Sequence, residues 1–236
     1  MFIKKSNLKI LCTICARKGS KGVKNKNLKK LGNLTLIEIS LNQANKSKVF
    51  NKVVFSTDSK KIIKIAKKNK IFYGSLRPKH LSNDHSSKLD VIRHITLQAE
   101  KFFFEKYDII CDLDVSSPLR SIADIKKCIN IIINKDTDNV ITGCVARKNP
   151  YFNMIEKKKN SINLIKRKNK TFFARQSAPK VYEMNASIYV WKRKALFSKK
   201  PIFRKKTSLY IMPFERSVDI DSVNDYKIVK MFHDSK

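Results

Sequence analysis

The hydrophobic pattern alternates between short runs rich in β-branched residues and longer stretches in which apolar residues recur every three or four positions. The first pattern predicts strands and the second predicts amphipathic helices. The predicted strands are 9–16, 53–57, 71–73, 108–115, 140–145, 186–191 and 209–212, and the predicted helices are 36–46, 59–69, 88–104, 122–134 and 223–232. Because strands and helices alternate up to residue 145, we expect right-handed crossovers and an α/β fold with a mainly parallel sheet.

The pattern changes between residues 146 and 184, where short apolar pieces are separated by polar turns. This is typical of β-hairpins inserted between the elements of a sheet. The predicted bounds are 1–145 and 186–236 for the core and 146–185 for the insert. The insert contains four large apolar residues: Phe152, Ile155, Phe172 and Phe173. Isolated hairpins with so much apolar surface are marginal in water, so we expect two copies of the chain to pair there as a homodimer. The alternative is that the hairpins pack against their own sheet.

Charge adds one clear feature, because the 236 residues include 52 Lys and Arg against 19 Asp and Glu, a net charge of +33. Only 10 of the basic residues are Arg, which sequence-specific nucleic-acid readers use for bidentate base contacts. The lysines are spread over every segment, so we expect a surface that attracts anionic substrates and no specific nucleic-acid partner. A lysine-rich nucleic-acid-binding protein is the alternative from another functional class.

The remaining composition predicts a cytoplasmic protein without a membrane segment. The five cysteines form no zinc-ligand pattern with the four histidines and are expected to be buried free thiols of a reducing compartment. The apolar run near the N-terminus is interrupted by Lys9 and is too short for a signal peptide. No apolar stretch of the sequence is long enough to cross a bilayer.

The stretch from Leu11 to Asn27 carries the first candidate chemistry. A predicted strand leads there into a loop with two glycines, Gly19 and Gly22, and five cations. Glycines let backbone N–H groups approach an anion, and cations neutralise it, so the loop is predicted to hold phosphates. The loop matches neither the Walker P-loop nor the Rossmann glycine pattern. A lysine-rich surface loop is the alternative interpretation.

Polar residues also follow other predicted strands, at the sheet edge where parallel α/β proteins bind ligands. Asp219 and Asp221 lie two apart, so on an extended backbone both carboxylates point to the same side. Such a pair suits a divalent cation that also contacts substrate phosphates, although the same acids could cap the last helix. Asp112 and Asp114 have the same spacing and could form a similar pair or a structural strand end.

Seven positions of the first loop resemble the nucleotide-binding motif of the CMP-sialic acid synthetases, also called acylneuraminate cytidylyltransferases. These positions are Ala16, Arg17, Ser20, Lys21, Gly22, Lys26 and Asn27. The resemblance continues, in the order and spacing of that family, through 54–58, 76–87, 113–120, 175–189 and 217–221. It implies a three-layer Rossmann-like nucleotidyltransferase fold with an inserted β-hairpin dimerisation subdomain.

The resemblance also implies an activity, which is to join CTP and a nonulosonic acid into a CMP-sugar and pyrophosphate. The implied cofactor is Mg²⁺ (or Mn²⁺), and the implied catalytic residues are Arg17, Lys21, Asp219 and Asp221, the two aspartates being the metal ligands. The implied nucleotide-binding residues are Ala16, Arg17, Gly19, Ser20, Lys21, Gly22, Lys26, Asn27, Arg77, Ser86 and Ser87. The implied sugar-binding residues are Asp114, Ser116, Ser117, Arg120, Arg175, Glu183, Asn185, Tyr189 and Phe203. Arg175 is expected to enter the partner subunit's sugar site, with Tyr189 and Phe203 of its own subunit nearby.

Two departures from the family pattern concern the sugar. Asp114 stands where the family has Gln, and Glu183 stands where it has Arg, with Ala186 replacing a nearby Gly. A carboxylate in place of an amide or a guanidinium changes both charge and hydrogen-bond polarity. The combination resembles the branch that activates legionaminic acid or a related bacterial nonulosonate, with N-acetylneuraminic acid as the other candidate. A cytidylyltransferase for the eight-carbon acid Kdo is a related alternative.

Overall fold

A mixed β-sheet between two layers of helices forms the centre of the protein. The structure is a computed structural model that describes residues 7–19, 22–71, 73–83, 86–168 and 172–235. Ser20 and Lys21, two of the predicted phosphate-binding residues, lie outside the described residues.

The bounds of the elements are as follows for the described part of the chain. The strands are β1 (Ile10–Cys15), β2 (Lys30–Leu31), β3 (Leu34–Thr35), β4 (Lys52–Thr57), β5 (Gly74–Leu76), β6 (Ile109–Leu113), β7 (Asn139–Val145), β8 (Ile155–Lys158), β9 (Ser161–Leu164), β10 (Tyr182–Met184), β11 (Ile188–Lys192) and β12 (Thr207–Ile211). The α-helices are α1 (Leu36–Ser47), α2 (Lys60–Lys68), α3 (Lys88–Phe103), α4 (Ile122–Asn134), α5 (Arg193–Leu196), α6 (Phe214–Ser217) and α7 (Val223–Asp234).

Within the described residues, eight strands form the central sheet in the order β10-β7-β11-β6-β1-β4-β5, with β12 paired to β7. β1 is parallel to β4 and β6, β4 is parallel to β5, and β12 is parallel to β7. β10 and β11 run antiparallel to their neighbours. The predicted α/β fold with a mainly parallel sheet is therefore confirmed.

The alternation of side chains along β1 explains the two helical layers. Cys12 and Ile14 pack into a core that includes residues of α1, α4 and α7, while Leu11 packs with α3 on the other face. All three side chains are fully buried, as expected for a central parallel strand that is covered by helices on both sides.

Reciprocal capping fixes where three of the helices begin. The caps of α1, α4 and α7 are Thr35, Ser121 and Ser222, each paired with an acidic residue three positions later. Because Ser222 rather than Asp221 caps α7, the carboxylate of Asp221 is not used for capping.

The third predicted strand is wrong in position, because the strand that pairs with β4 is Gly74–Leu76 rather than 71–73. The side chain of Ile71 is buried, and its N–H donates to the carbonyl of Ala66 at the end of α2. Its hydrophobicity therefore reflects burial below a helix end and not pairing in the sheet. The short elements β2, β3, α5 and α6 were not predicted, since two to four residues carry too little periodicity.

The predicted insert leaves the central sheet only in part. β8 and β9 form a separate hairpin in which Ile155 lies opposite Leu164, as the alternating pattern predicts. β10, however, pairs with β7, so the chain rejoins the central sheet at Tyr182, ahead of the predicted boundary at residue 185. The division into core and dimerisation segment stays a prediction.

The cysteines are free thiols, and four of the five are buried while Cys15 is half-buried. In the ranges that the structure describes, no helix combines the length and the apolar character that crossing a membrane requires.

Candidate active site

A cleft of about 590 Å³ opens at the carboxyl ends of β1, β5 and β6. This is the edge at which open α/β sheets bind ligands. Ten of the predicted site residues line it, namely Arg17, Gly22, Lys26, Asn27, Arg77, Ser86, Asp114, Ser116, Asp219 and Asp221. The cleft residues that were not predicted are Cys15, Leu81, Asn83, Lys88, Val91 and Ala186, the last noted only as a departure from the family pattern.

Hydrogen bonds within the loop after β1 fix the wall that was predicted to hold phosphates. The side-chain amide of Asn27 donates to the carbonyl of Arg17 at 2.8 Å, which closes the loop on itself. The backbone N–H of Lys18 donates to the carboxylate of Asp58, after β4, at 2.6 Å. Asn27 is almost fully buried, so it acts first as a support for the loop.

Gly22 lies directly against the segment that carries the two predicted metal ligands. A Cβ atom at position 22 would lie 1.8 Å from the backbone oxygen of Asp221, closer than any contact allows. A side chain there would push the two segments apart, so glycine is required by close approach. At Gly19 no atom of the described residues lies within 4 Å of the place a Cβ would take, so the same argument does not apply there.

Lys26 adds a second connection between the two segments. Its ammonium donates to the carbonyl of Ile220 at 2.6 Å and lies 3.0 Å from Oδ1 of Asp221. The loop after β1 and the segment before α7 therefore form one wall of the cleft.

Successive side chains from Asp219 to Asp221 point in alternate directions, as the spacing of the two aspartates predicts. Ile220 is fully buried and its N–H donates to the carbonyl of Ser116, while both aspartates line the cleft. Burial and the neighbouring charge of Asp221 raise the pKa of Asp219 to about 6. No group of three or more His, Cys, Asp and Glu that could hold a metal is present among the described residues. Two carboxylate oxygens completed by substrate phosphates are nevertheless a donor set that fits Mg²⁺ or Mn²⁺.

Arg77 and Ser86 line the opposite wall of the cleft. The guanidinium of Arg77 is nearly buried and donates to the hydroxyl and the carbonyl oxygen of Ser56, at 3.3 and 3.1 Å. The hydroxyl of Ser86 donates to the carbonyl of His80 at 2.8 Å. Ser87, a predicted nucleotide ligand, caps α3 through the N–H of Leu89 and is absent from the cleft lining.

Lys88 forms the floor of the cleft together with two carboxylates from the end of β6. Its ammonium lies 2.8 Å from Oδ2 of Asp112 and 2.5 Å from Oδ2 of Asp114. Asp112 also accepts a hydrogen bond from the hydroxyl of Thr13 at 2.8 Å. Both carboxylates at the end of β6 are therefore paired with the same side chain of the protein, Lys88. Nothing in the sequence separated Lys88 from the other lysines, apart from its place at the start of a helix that faces a strand end.

The charge state of this floor follows from its contacts. Burial raises the pKa of Asp114, but Lys88 and the hydrogen bonds from Ser116 outweigh burial and hold that pKa well below its usual range. Burial lowers the pKa of Lys88, and the two aspartates outweigh it and raise the pKa above its usual range. Lys88 and Asp114 are therefore both charged at neutral pH.

Three predicted sugar ligands are buried and support loops from behind the cleft. Arg120 is 2% exposed, and its guanidinium donates to the carbonyls of Asp114 and Ser187 and to the hydroxyl of Ser40. Asn185 is also buried, with its amide and carbonyl both hydrogen-bonded. Ser117 is fully buried. The structure thus places these side chains in positioning roles, and none of the three lines the cleft.

Arg175, Glu183 and Tyr189 lie outside the cleft of their own chain. Arg175 is exposed and donates to the carbonyl of Ala146, and Glu183 is exposed and accepts from the N–H of Arg147. Tyr189 is buried and stacks on Trp191, with ring centroids 5.3 Å apart.

The expectation that Phe203 lies near Arg175 is wrong. Phe203 follows Ile202, whose carbonyl accepts from the side chain of Asn139 at the first residue of β7. Arg175 contacts Ala146, just beyond the last residue of the same strand. Since β7 has seven residues, the two contacts are about 20 Å apart. The parallel pairing of β12 with β7 causes this, because it brings the loop before β12 to the edge of the sheet opposite the cleft.

The sequence pattern that defines the cytidylyltransferase family matches residues 11–233, nearly the whole chain. The protein belongs to the cytidylyltransferase family. It is therefore a nucleotidyltransferase, and the predicted membership of a cytidylyltransferase family is confirmed.

The most informative relatives come from Campylobacter. The chain is 47% identical over 223 residues to the post-translational flagellin modification protein B of Campylobacter coli, covering 94% of this chain and 93% of the relative. It is 46% identical over 221 residues to the CMP-N,N'-diacetyllegionaminic acid synthase of Campylobacter jejuni, with the same coverage. Among solved structures, a CMP:2-keto-3-deoxy-manno-octonic acid synthetase complexed with CTP superposes with a TM-score of 0.67 at 13% identity. That match covers 96% of this chain and 99% of the other, and it confirms the Rossmann-like cytidylyltransferase fold.

Proposed function

We propose that this cytidylyltransferase transfers CMP from CTP to the anomeric hydroxyl of a nonulosonic acid and releases pyrophosphate. The observation that carries the proposal is the cleft, in which a cationic loop and a carboxylate pair form one continuous wall. A nucleoside triphosphate that reacts at its α-phosphorus needs such an arrangement, since its charge must be neutralised and held in line.

In this reaction the anomeric oxygen forms a bond to the α-phosphorus of CTP. The bond from that phosphorus to the oxygen bridging to the β-phosphate breaks, pyrophosphate leaves with the electron pair, and the hydroxyl proton passes to a base. Arg17, Lys26 and the backbone beside Gly22 would hold the triphosphate, and Asn27 and Arg77 would hold the cytidine. The contribution of these groups is positioning and charge stabilisation.

Mg²⁺ (or Mn²⁺) is the proposed cofactor, with Asp219 and Asp221 as its protein ligands. A bound cation would neutralise phosphate charge and lower the pKa of the attacking hydroxyl. This assignment is supported by the position of both carboxylates, which line the same cleft beside the cationic loop. Among the described residues, Lys26 forms an ion pair with Asp221, whose side chain is 76% exposed, and none with Asp219.

For the sugar, we favour N,N'-diacetyllegionaminic acid over N-acetylneuraminic acid. The support is the relative of that printed activity, which is 46% identical across nearly the full length of both chains. Kdo remains a weaker candidate, because the likeness to the Kdo-activating enzyme is 13% identity and speaks only for the fold.

A homodimer with shared active sites is the proposed working unit. The hairpin carries exposed apolar side chains, with Ile155 63% and Ile162 64% exposed, and Phe173 nearby is 89% exposed. Phe172, by contrast, is buried against Tyr151 of its own chain. Burying the exposed group against a second copy would remove it from water. Arg175 belongs to the same region and lies outside its own cleft, which leaves it available for the partner subunit's site.

The test is a pyrophosphate-release assay with CTP and Mg²⁺, run with N,N'-diacetyllegionaminic acid, N-acetylneuraminic acid and Kdo in parallel. We expect a CMP-sugar of the corresponding mass with the first acid and little turnover when UTP or ATP replaces CTP. A parallel titration with DNA and RNA at several salt concentrations addresses the nucleic-acid alternative. Tight nucleic-acid binding without turnover of any acid would overturn the proposal.

A further inference from the structure

Lys88, Asp112 and Asp114 form a charged cluster in the floor of the cleft, and its members differ in exposure. The side chain of Asp112 is fully buried, whereas 22% of Asp114 and 34% of Lys88 remain exposed. Both exposed groups line the cleft. The cluster therefore presents one cation and one carboxylate to whatever occupies the cleft.

Arg120 supports the cluster from behind the cleft. Its buried guanidinium donates to the backbone carbonyl of Asp114 at 2.6 Å. The ammonium of Lys88 donates to Oδ2 of Asp114, lies 2.8 Å from Oδ2 of Asp112 and is 5.8 Å from the centre of the Tyr189 ring. The ammonium of Lys88 is thus occupied by contacts within the protein, and we do not assign it to binding phosphate.

These contacts hold the Asp114 carboxylate in one orientation. Its Oδ1 accepts from the backbone N–H of Ser116 at 2.8 Å and from the hydroxyl of Ser116 at 2.7 Å. Its Oδ2 accepts from Lys88. A carboxylate oxygen accommodates two hydrogen bonds. One acceptor position on Oδ2 is therefore left at the cleft wall, as far as the described residues are concerned.

An ionised carboxylate only accepts hydrogen bonds, and its bonds are stronger than those of neutral acceptors. An acylamino N–H only donates, whereas a hydroxyl both donates and accepts. The hydrogen-bonding capacity of a fixed carboxylate therefore complements an acylamino N–H better than a hydroxyl. A side-chain amide in place of the carboxylate could bond to either group.

We propose that Lys88 and Asp114 act as one sugar-selecting pair, in which Lys88 orients the Asp114 carboxylate to accept the N–H of an acylamino group of the sugar. Lys88 is thereby a positioning residue. This proposal rests on the proposed function. It adds a physical reason why the enzyme would favour N,N'-diacetyllegionaminic acid over N-acetylneuraminic acid, which has one acetamido group fewer.

The experiment measures kcat and KM for each sugar and for CTP in Lys88→Met, Lys88→Arg, Asp114→Asn and the Lys88→Met/Asp114→Asn double variant. Lys88→Met should lower kcat/KM for the diacetylated acid about ten- to a hundredfold, by analogy with groups that orient metal ligands. The loss should appear in the KM of the sugar, with the KM of CTP within about twofold of the wild-type value. Lys88→Arg, which keeps the charge, should restore most of the activity.

In the Asp114→Asn background, Lys88→Met should cost less than about threefold, because the carboxylate that it orients is gone. Asp114→Asn alone should reduce the preference for the diacetylated acid over N-acetylneuraminic acid by about tenfold. The matched control is Lys101→Met, an exposed lysine at the other end of α3, which should leave every constant unchanged.

Equal losses for both sugars and for CTP would overturn the pair, since they would indicate a general structural role. An unchanged sugar preference in Asp114→Asn would overturn it as well, and that variant carries the test if Lys88→Met does not fold. A wild-type enzyme that converts neither acid would instead overturn the proposed function, and the pair with it.

Discussion

The side chain of Lys26 joins two parts of the cleft that are 195 residues apart in sequence. Its ammonium is held by the carbonyl of Ile220, and 18% of its side chain is exposed against 76% of Asp221. Because the lysine is largely enclosed, its charge is fixed in place at the point where the proposed phosphates and metal ion meet. A positive charge that needs no rearrangement is the most effective kind for stabilising a transition state.

Replacing Lys26 by Met should therefore lower kcat/KM for CTP about a hundredfold. Lys24→Met is the matched control, because Lys24 is an exposed lysine of the same loop, and it should change kcat/KM by less than about twofold. Steady-state kinetics of both variants at constant ionic strength provide the measurement. Equal losses in both variants would mean that bulk basicity matters rather than the position of one ammonium.

Asp219→Asn and Asp221→Asn should each reduce Mg²⁺-dependent turnover at least about a hundredfold while the circular dichroism spectrum stays the same. In the metal-free protein, Asp219→Asn should raise the melting temperature slightly, since it removes a charge that is disfavoured by burial and by the neighbouring carboxylate of Asp221. Asp136→Asn is the control, because Asp136 is exposed and pairs with Lys206 away from the cleft. Full Mg²⁺-dependent activity in both cleft variants would contradict the metal assignment.

At the scale of elements, Asp124 ties α4 to β12 and α6, the elements that lead into the carboxylate segment. Its carboxylate accepts from Arg216 at 2.9 and 3.1 Å, from the hydroxyl of Tyr210 at 2.9 Å, and from Ser121. Asp124 is fully buried. Burial raises its pKa, but the hydrogen bonds from Arg216 and Ser121 outweigh burial and lower the pKa below its ordinary value.

Asp124→Asn should lower the free energy of unfolding at neutral pH by about 3 kcal/mol, the usual cost of breaking a buried ion pair. Because the pKa of Asp124 is lowered in the folded state, its stabilisation is complete above the unfolded pKa of about 4 and is lost as the pH falls further. Urea unfolding at pH 7 and pH 3 should therefore show a difference between wild type and variant that shrinks in acid. Asp90→Asn, at an exposed helix pair, should cost less than about 0.5 kcal/mol. A difference that grows in acid would contradict this account.

At the scale of the whole molecule, the cleft of one chain contains the nucleotide wall and Asp114, while Arg175 lies elsewhere. The proposed dimer would bring the Arg175 of one subunit to the cleft of the other. Such an arrangement makes each active site depend on two chains.

Mixing inactive Asp221→Asn subunits with inactive Arg175→Ala subunits tests this dependence. In a shared-site dimer, one site of each heterodimer carries both changes and the other carries neither, so about half of the wild-type activity per heterodimer should return. Subunit exchange is verified by native mass spectrometry. If exchange occurs and no activity returns, each site belongs to a single chain.

The sequence was sufficient to predict those parts of the structure that depend on residues close together in the chain. The bounds of α4 and the shared direction of Asp219 and Asp221 follow from local periodicity and were predicted. The place of Phe203 and the antiparallel position of β11 depend on how distant strands pair, and the partner of Asp114 depends on how α3 packs on the sheet. No local pattern encodes such long-range contacts, and this is why Lys88 was overlooked among 42 lysines.

The place of β11 between β6 and β7 has a consequence for synthesis and folding. β7 pairs only with β10, β11 and β12 in the described sheet, and all three follow it in the chain by more than 35 residues. While the ribosome makes the protein, β1, β4, β5 and β6 are complete long before β7 has any partner. The nascent chain must therefore hold an apolar strand unpaired until residues 182–211 emerge, which is the interval in which aggregation competes with folding.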